Sequence, residues 1–220
     1  MSYGLLVGLI AVVVLIAITR VGDSTNSLFE NVSDTLVGVA NPAGASAEAS
    51  PEVKLVFITS TTHDGILGGL SGADSICNGD ASAAGLSGSY KAWLGQDTGG
   101  LQTPNTTFTQ NDGPYTLVDG TVIADDWDDL TDGSIDNVIN LQADGAGLSG
   151  PVPLRRAWTN VTSDGSNVVT SSGDCVAWSS NDGLQNSSIG NAPNATDSTW
   201  TELTGAVPCN APRRLLCFQQ

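Results

Sequence analysis

The sequence predicts an α+β chain: a long N-terminal hydrophobic helix followed by a disulfide-bonded head with long loops. Three observations predict it. Gly4 to Thr19 carries no charge and is almost entirely Leu, Ile, Val, Ala and Gly. The remainder is rich in Gly, Ser, Thr, Asn and Asp and poor in Lys and Arg, which suits short strands and turns better than a helical enzyme. Four cysteines (Cys77, Cys175, Cys209 and Cys217) follow the apolar segment. An even count in such a context suggests disulfides and an oxidising compartment.

The apolar run comes first in chain order. SYGLLVGLIAVVVLIAITRVG is apolar on every face, and a helix of that kind must be buried in lipid or in other protein. Met1 to Thr19 would span about 28 Å as a helix, against roughly 30 Å of bilayer core. A cleaved signal peptide fits poorly. No Lys or Arg precedes the run, and Ala17-Ile18-Thr19-Arg20 is a weak small-x-small site. Past Arg20, Leu28, Phe29, Val32 and Leu36 recur at helical spacing among polar residues. A plain anchor does not need this second, amphipathic stretch, whereas a filament subunit does. Gly4 and Gly8, with Ala11 on the same face, let helix backbones approach closely.

Those residues resemble the N-termini of Flp-type (type IVb, tight-adherence) pilins. Tyr3-Gly4-Leu5, Thr19-x-x-Gly22 and Leu28-Phe29 match that family's pattern in order and spacing. The family's acidic residue before the tyrosine is Ser2 here. The resemblance implies assembly through Tyr3, Gly4, Gly8, Ala11, Val14 and Ile18, with Leu28, Phe29, Val32 and Leu36 packing sister helices. Residues 1–37 are therefore expected to be the pilin-like helix. Residues 38–53, GVANPAGASAEASPEV, have linker composition. Residues 54–220 are the head.

Within the head, Lys54–Ser60 reads as a strand and Ser71–Ala84 as a helix, with Ser71 as N-cap and Ile76, Cys77 and Ala81 inward. Further strands are expected at Tyr90–Gly95, Tyr115–Val118, Thr121–Ala124, Arg156–Thr159, Cys175–Trp178 and Arg214–Phe218. Long polar loops join them, and loops of that length need a function or a staple. Four cysteines allow three connectivities. The order of the cysteines favours the nested one, Cys77–Cys217 and Cys175–Cys209, which closes the head end to end.

The blocks KLVFITSTT, GGLSGADSICN, YKAWLG, GPYTLVDGTVIADDWDDLTDG, AWTN, CVAWSS, ATDSTWTE and RRLLCFQQ resemble, in order, bacterial endostatin-like surface proteins. That family has a C-type-lectin-like fold, so the resemblance implies a lectin-like head, and the nested pairing is also its pattern. No E-P-N, Q-P-D or W-N-D sugar-binding motif is present.

Function follows from what is present. A formal net charge of −16 argues against nucleic acid as a partner and suits a solubilising surface. No spacing is C-x-x-C and His63 is the one histidine, which argues against a Cys/His zinc site. No nucleophile elbow, P-loop or H-E-x-x-H motif occurs, so no enzyme and no cofactor is expected. The acidic run Asp125, Asp126, Asp128 and Asp129 could supply oxygen ligands to Ca²⁺. Its spacing does not fit an EF-hand loop, and a solvated turn with Trp127 in the core is the simpler reading. The five tryptophans are expected mainly in the core. Trp200 is the candidate for exposure, which makes it a ligand candidate beside Asp126 and Asp128. Sequons stand at Asn31, Asn105, Asn160, Asn186 and Asn194; those in the head mark exposed loops if glycosylated. The expectation is a pilin: made in the cytoplasmic membrane, polymerised with identical subunits into an extracellular filament, with a head that meets glycans or host surfaces. The alternative is a membrane-anchored adhesin that does not polymerise.

Overall fold

The computed structural model describes residues 51–220. The expected helix over residues 1–37 lies outside the described residues. The chain divides into two compact units, Met1–Ser50 and Pro51–Gln220.

The second unit is built on a five-stranded sheet of order β2-β8-β1-β3-β4. Its strands are β1 (Lys54–Ile58), β2 (Tyr90–Ala92), β3 (Tyr115–Leu117), β4 (Val122–Ala124) and β8 (Leu216–Gln219). β1 and β3 run parallel; the other pairs are antiparallel. A three-stranded antiparallel sheet of order β5-β6-β7 joins Ala157–Trp158, Asn186–Gly190 and Leu203–Pro208. One helix exceeds a turn or so, α1 (Gly69–Ala83).

The expected fold class is corrected on this evidence. The described residues form a mixed α/β fold with two sheets, few helices and a parallel strand pair, where a lectin-like head was expected. No helix among them is long and apolar enough to cross a membrane. The physical reason is that β1 is buried on both faces, as a strand inside a sheet covered on both sides must be. Its apolar residues are spent on both faces of a sheet: Val56 and Ile58 enter one core, Phe57 the other.

The first core centres on Trp93, whose ring lies 5.0 Å from Trp200, 5.2 Å from Phe218 and 6.0 Å from Trp127. Its indole N–H donates to the Thr201 hydroxyl at 2.7 Å. The second core packs Ala73, Cys77 and Ala81 of α1 against Phe57, Tyr90, Trp158 and Trp178. The three α1 residues sit at i, i+4, i+8, one face of a helix. Ile76 is only partly buried, and Gly68 rather than Ser71 occupies the N-cap.

The disulfides are nested, Cys77–Cys217 and Cys175–Cys209, with Cα separations of 5.5 and 5.7 Å. The first ties α1 to β8, and its loop spans 140 residues. The second closes 34 residues. In the chain-entropy picture they stabilise by about 5 and about 4 kcal/mol.

Both edges of the five-stranded sheet are occupied. At β2, the Asn78 side chain accepts from Tyr90 N–H at 2.9 Å and donates to its carbonyl at 2.8 Å. Asp74 takes Ala92 N–H at 2.9 Å. Two polar residues of α1 thus stand in for a neighbouring strand. At β4, Asn137 donates to the Val122 carbonyl at 2.9 Å and Asp136 N–H to that of Ile123 at 2.8 Å. A covered edge cannot template pairing with another chain.

Cys175–Trp178 is not the expected strand. Four consecutive residues, Cys175, Val176, Ala177 and Trp178, hold φ between 49° and 58°, a left-handed turn. Left-handed backbone costs about 1–2 kcal/mol per L-residue, so something must hold it. The disulfide at Cys175 and the Asp174 side chain, which caps Ala177 N–H at 3.0 Å, do so. Gly65 passes so close that a Cβ there would sit 2.7 Å from Cys175 Sγ and 2.4 Å from the Ser180 carbonyl. β6 and β7 fall in stretches that read as loops.

Candidate functional site

Two surface features have a chemistry of their own. The first is a cleft of about 250 Å³ between α1 and β2, walled by Leu70, Asp74, Lys91, Leu94 and Phe108. Strand alternation turns Lys91 away from the buried Tyr90 and Ala92. Its ammonium donates to the Thr107 carbonyl. Partial burial pushes the Asp74 carboxyl up, against the pull of Ala92 N–H and the Lys91 charge. One acid and one base therefore flank an apolar floor, an arrangement that suits a small polar group with an apolar face. The sequence reading missed this pair. The signal available was Lys91 itself, a cation inside an otherwise apolar strand.

The second is the acidic turn. Asp126 caps the short helix Trp127–Leu130 by accepting Asp129 N–H at 2.9 Å. Asp129 in turn takes Asp125 N–H at 2.7 Å. Asp126 and Asp128 border a cleft of about 130 Å³ with Gln110, Asn111 and Asp112. Asp136 lies nearby; burial and the charges of Asp129, Asp125 and Asp132 push its carboxyl up. Trp127 is 7% exposed and points into the first core. Two carboxylates of this turn are thus engaged with backbone N–H groups. Among the described residues no cluster of three or more His, Cys, Asp or Glu side chains is placed to hold a metal ion.

Trp200 is corrected. It is fully buried, 5.0 Å from Trp93, so it cannot stack on a sugar. The polar loop before it gave no sign of this, because Ser198–Trp200 is a single 3-10 turn that folds the ring inward. It belongs with Trp93, Trp127, Trp158 and Trp178, all buried.

The sequons also separate. Asn105 and Asn194 are exposed and Asn186 is half-buried. Asn160 is fully buried, and its amide bonds both the carbonyl and N–H of Thr170, at 3.2 and 2.9 Å. It is corrected as a glycan site for the folded domain. His63 is partly buried; burial lowers its pKa against the charges of Asp80 and Asp64. Its ring bonds the Thr61 hydroxyl at 3.1 Å. Tyr3 to Leu36 of the assembly segment lie outside the described residues.

No protein-family model matches this chain, and no curated protein matches it.

Proposed function

We propose that the chain is a structural subunit of an extracellular filament of the Flp-pilin kind. Its apolar N-terminal segment holds it in the membrane before assembly and packs against identical segments afterwards. The unit Pro51–Gln220 is displayed on the filament surface. The observation that carries this is the two-part N-terminal sequence: uncharged from Gly4 to Thr19, then amphipathic through Leu28, Phe29, Val32 and Leu36. Supporting it, the displayed unit has its own cores and two disulfides, features of a domain that survives outside the cell. Immunogold negative-stain microscopy of sheared surface material tests it. Labelled filaments are expected; a chain that stays wholly with the membrane fraction rules the filament out.

A second reading, a surface adhesin that recognises small glycans, draws on the Asp74–Lys91 cleft. A glycan array on the full chain in detergent, with Lys91→Ala as control, tests that reading. Signals that Lys91→Ala abolishes support it; an array without signals rejects it.

A further inference from the structure

Four of the chain's seven basic side chains are two adjacent pairs, Arg155-Arg156 and Arg213-Arg214. The fold brings the pairs together. Arg214 N–H donates to the Arg156 carbonyl at 3.0 Å, and Trp158 N–H to that of Arg214 at 2.9 Å. The four guanidinium groups then divide into one anchor and three others.

Arg214 is the anchor. It is 7% exposed, and donates to the carbonyls of Thr59 and, at 3.1 Å, Leu154. Asp80 is the charge that faces it. Arg213 lies over the Trp158 ring at 5.9 Å and donates to the Pro212 carbonyl at 2.6 Å. Among the described residues Arg156 reaches only the Asn191 side-chain oxygen, at 3.4 Å. The Nε atoms of Arg155 and Arg213 are enclosed and have no hydrogen-bond partner. Burial, then the charge of Arg156, lowers the proton affinity of Arg213, so these two like charges face one another. Asp80 and Asp64 act on His63.

This is costly chemistry to leave unused. An enclosed guanidinium N–H without an acceptor forfeits a charge-assisted bond, but it is out of reach of an outside group, so what an incoming carboxylate can relieve is the repulsion between Arg156 and Arg213. Facing like charges add repulsion. In a chain of net charge −16, acceptors are abundant, yet the hydrogen bonds of Arg156 and Arg213 end on neutral oxygens.

We propose that Arg156 and Arg213 form a carboxylate cradle that receives the acidic turn, residues 125–136, of a second copy of this chain. Charge complementarity selects this occupant. The turn gathers Asp125, Asp126, Asp128, Asp129, Asp132 and Asp136; burial first, then the charges of Asp129, Asp125 and Asp132, raises the Asp136 carboxyl. A guanidinium fork opposite them relieves both repulsions through bidentate pairing. Covered edges on the five-stranded sheet leave side-chain surfaces to make the contact. Cradle and turn are different surfaces, so the contact is heterologous and propagates from copy to copy. The proposal rests on the filament reading and names the contact between its displayed units.

The test is sedimentation of the oxidised full chain in detergent. Association is compared at about 0.01 M and about 1 M salt, where the screening lengths are about 30 and 3 Å. Wild type should associate at low salt and separate at high salt. Arg156→Glu/Arg213→Glu and Asp128→Arg/Asp129→Arg should each weaken low-salt association by about tenfold or more. Mixing the two variants should restore it, which also shows that both fold. Wild type that shows no salt-sensitive association, reversal variants that associate as wild type does, or a mixture that stays apart would overturn the contact. Filaments seen with charge-indifferent association sink the contact alone; charge-paired association without filaments sinks the filament alone.

Discussion

Asp174 shows how one side chain can hold several segments. It is fully buried and accepts Thr98 N–H and hydroxyl, both at 2.8 Å, Asp97 N–H at 3.1 Å and Ala177 N–H at 3.0 Å. Burial by itself would raise its pKa, but these bonds outweigh burial and hold the carboxyl below the usual range. A depressed folded value places its contribution at high pH. That contribution is complete above about pH 4, where the unfolded carboxyl is ionised. It fades as pH falls through the depressed value. Asp174→Ala is expected to cost about 3 kcal/mol in urea unfolding at pH 7, because four partly buried donors lose their acceptor. The difference from wild type should shrink in acid; a gap that stays constant down to pH 2 would contradict the ionised role. At this scale the sequence was partly legible. Tryptophans in a loop-rich chain read correctly as core. Trp200 did not, because exposure was inferred from the polar loop before it, and a short 3-10 turn carries the ring inward.

Secondary structure was legible where pattern and position agreed. KLVFI, YKA and LCFQ are apolar strands and were found. NSSIG pairs with LTGAVP as β6 and β7 despite its polar residues, and both Ser187 and Ser188 are buried there. CVAW has strand composition yet winds left-handed, because a disulfide and a carboxylate cap impose what local preference opposes. A glycine at Ala177 removes the Cβ penalty and adds unfolded-chain entropy. Ala177→Gly should therefore gain about 0.5–1 kcal/mol. A loss in thermal or urea unfolding would show that the turn is not strained. In a right-handed helix the same change costs about 1 kcal/mol, so the sign alone decides.

For the whole unit, the nested cystines set the stability ledger. Replacing Cys77 and Cys217 together by Ser should cost about 4–5 kcal/mol in urea unfolding, and the Cys175/Cys209 pair about 4. Equal, small losses would mean that the unfolded chain is already compact. Cysteine order allowed this pairing to be read from the sequence. The class of fold could not be, since the expectation placed the chain's structure in a helix and a lectin-like head. What the described residues show is an α/β unit whose central strand serves two cores. That central strand has a further consequence. β1 and β8 are antiparallel neighbours with Val56 opposite Phe218, and Leu55 N–H reaches the Gln219 side chain at 2.9 Å. The start of β1 and the end of β8 therefore lie side by side. Such a unit is a cassette: spliced into a surface loop of an unrelated host, it would open that loop by little more than one strand spacing.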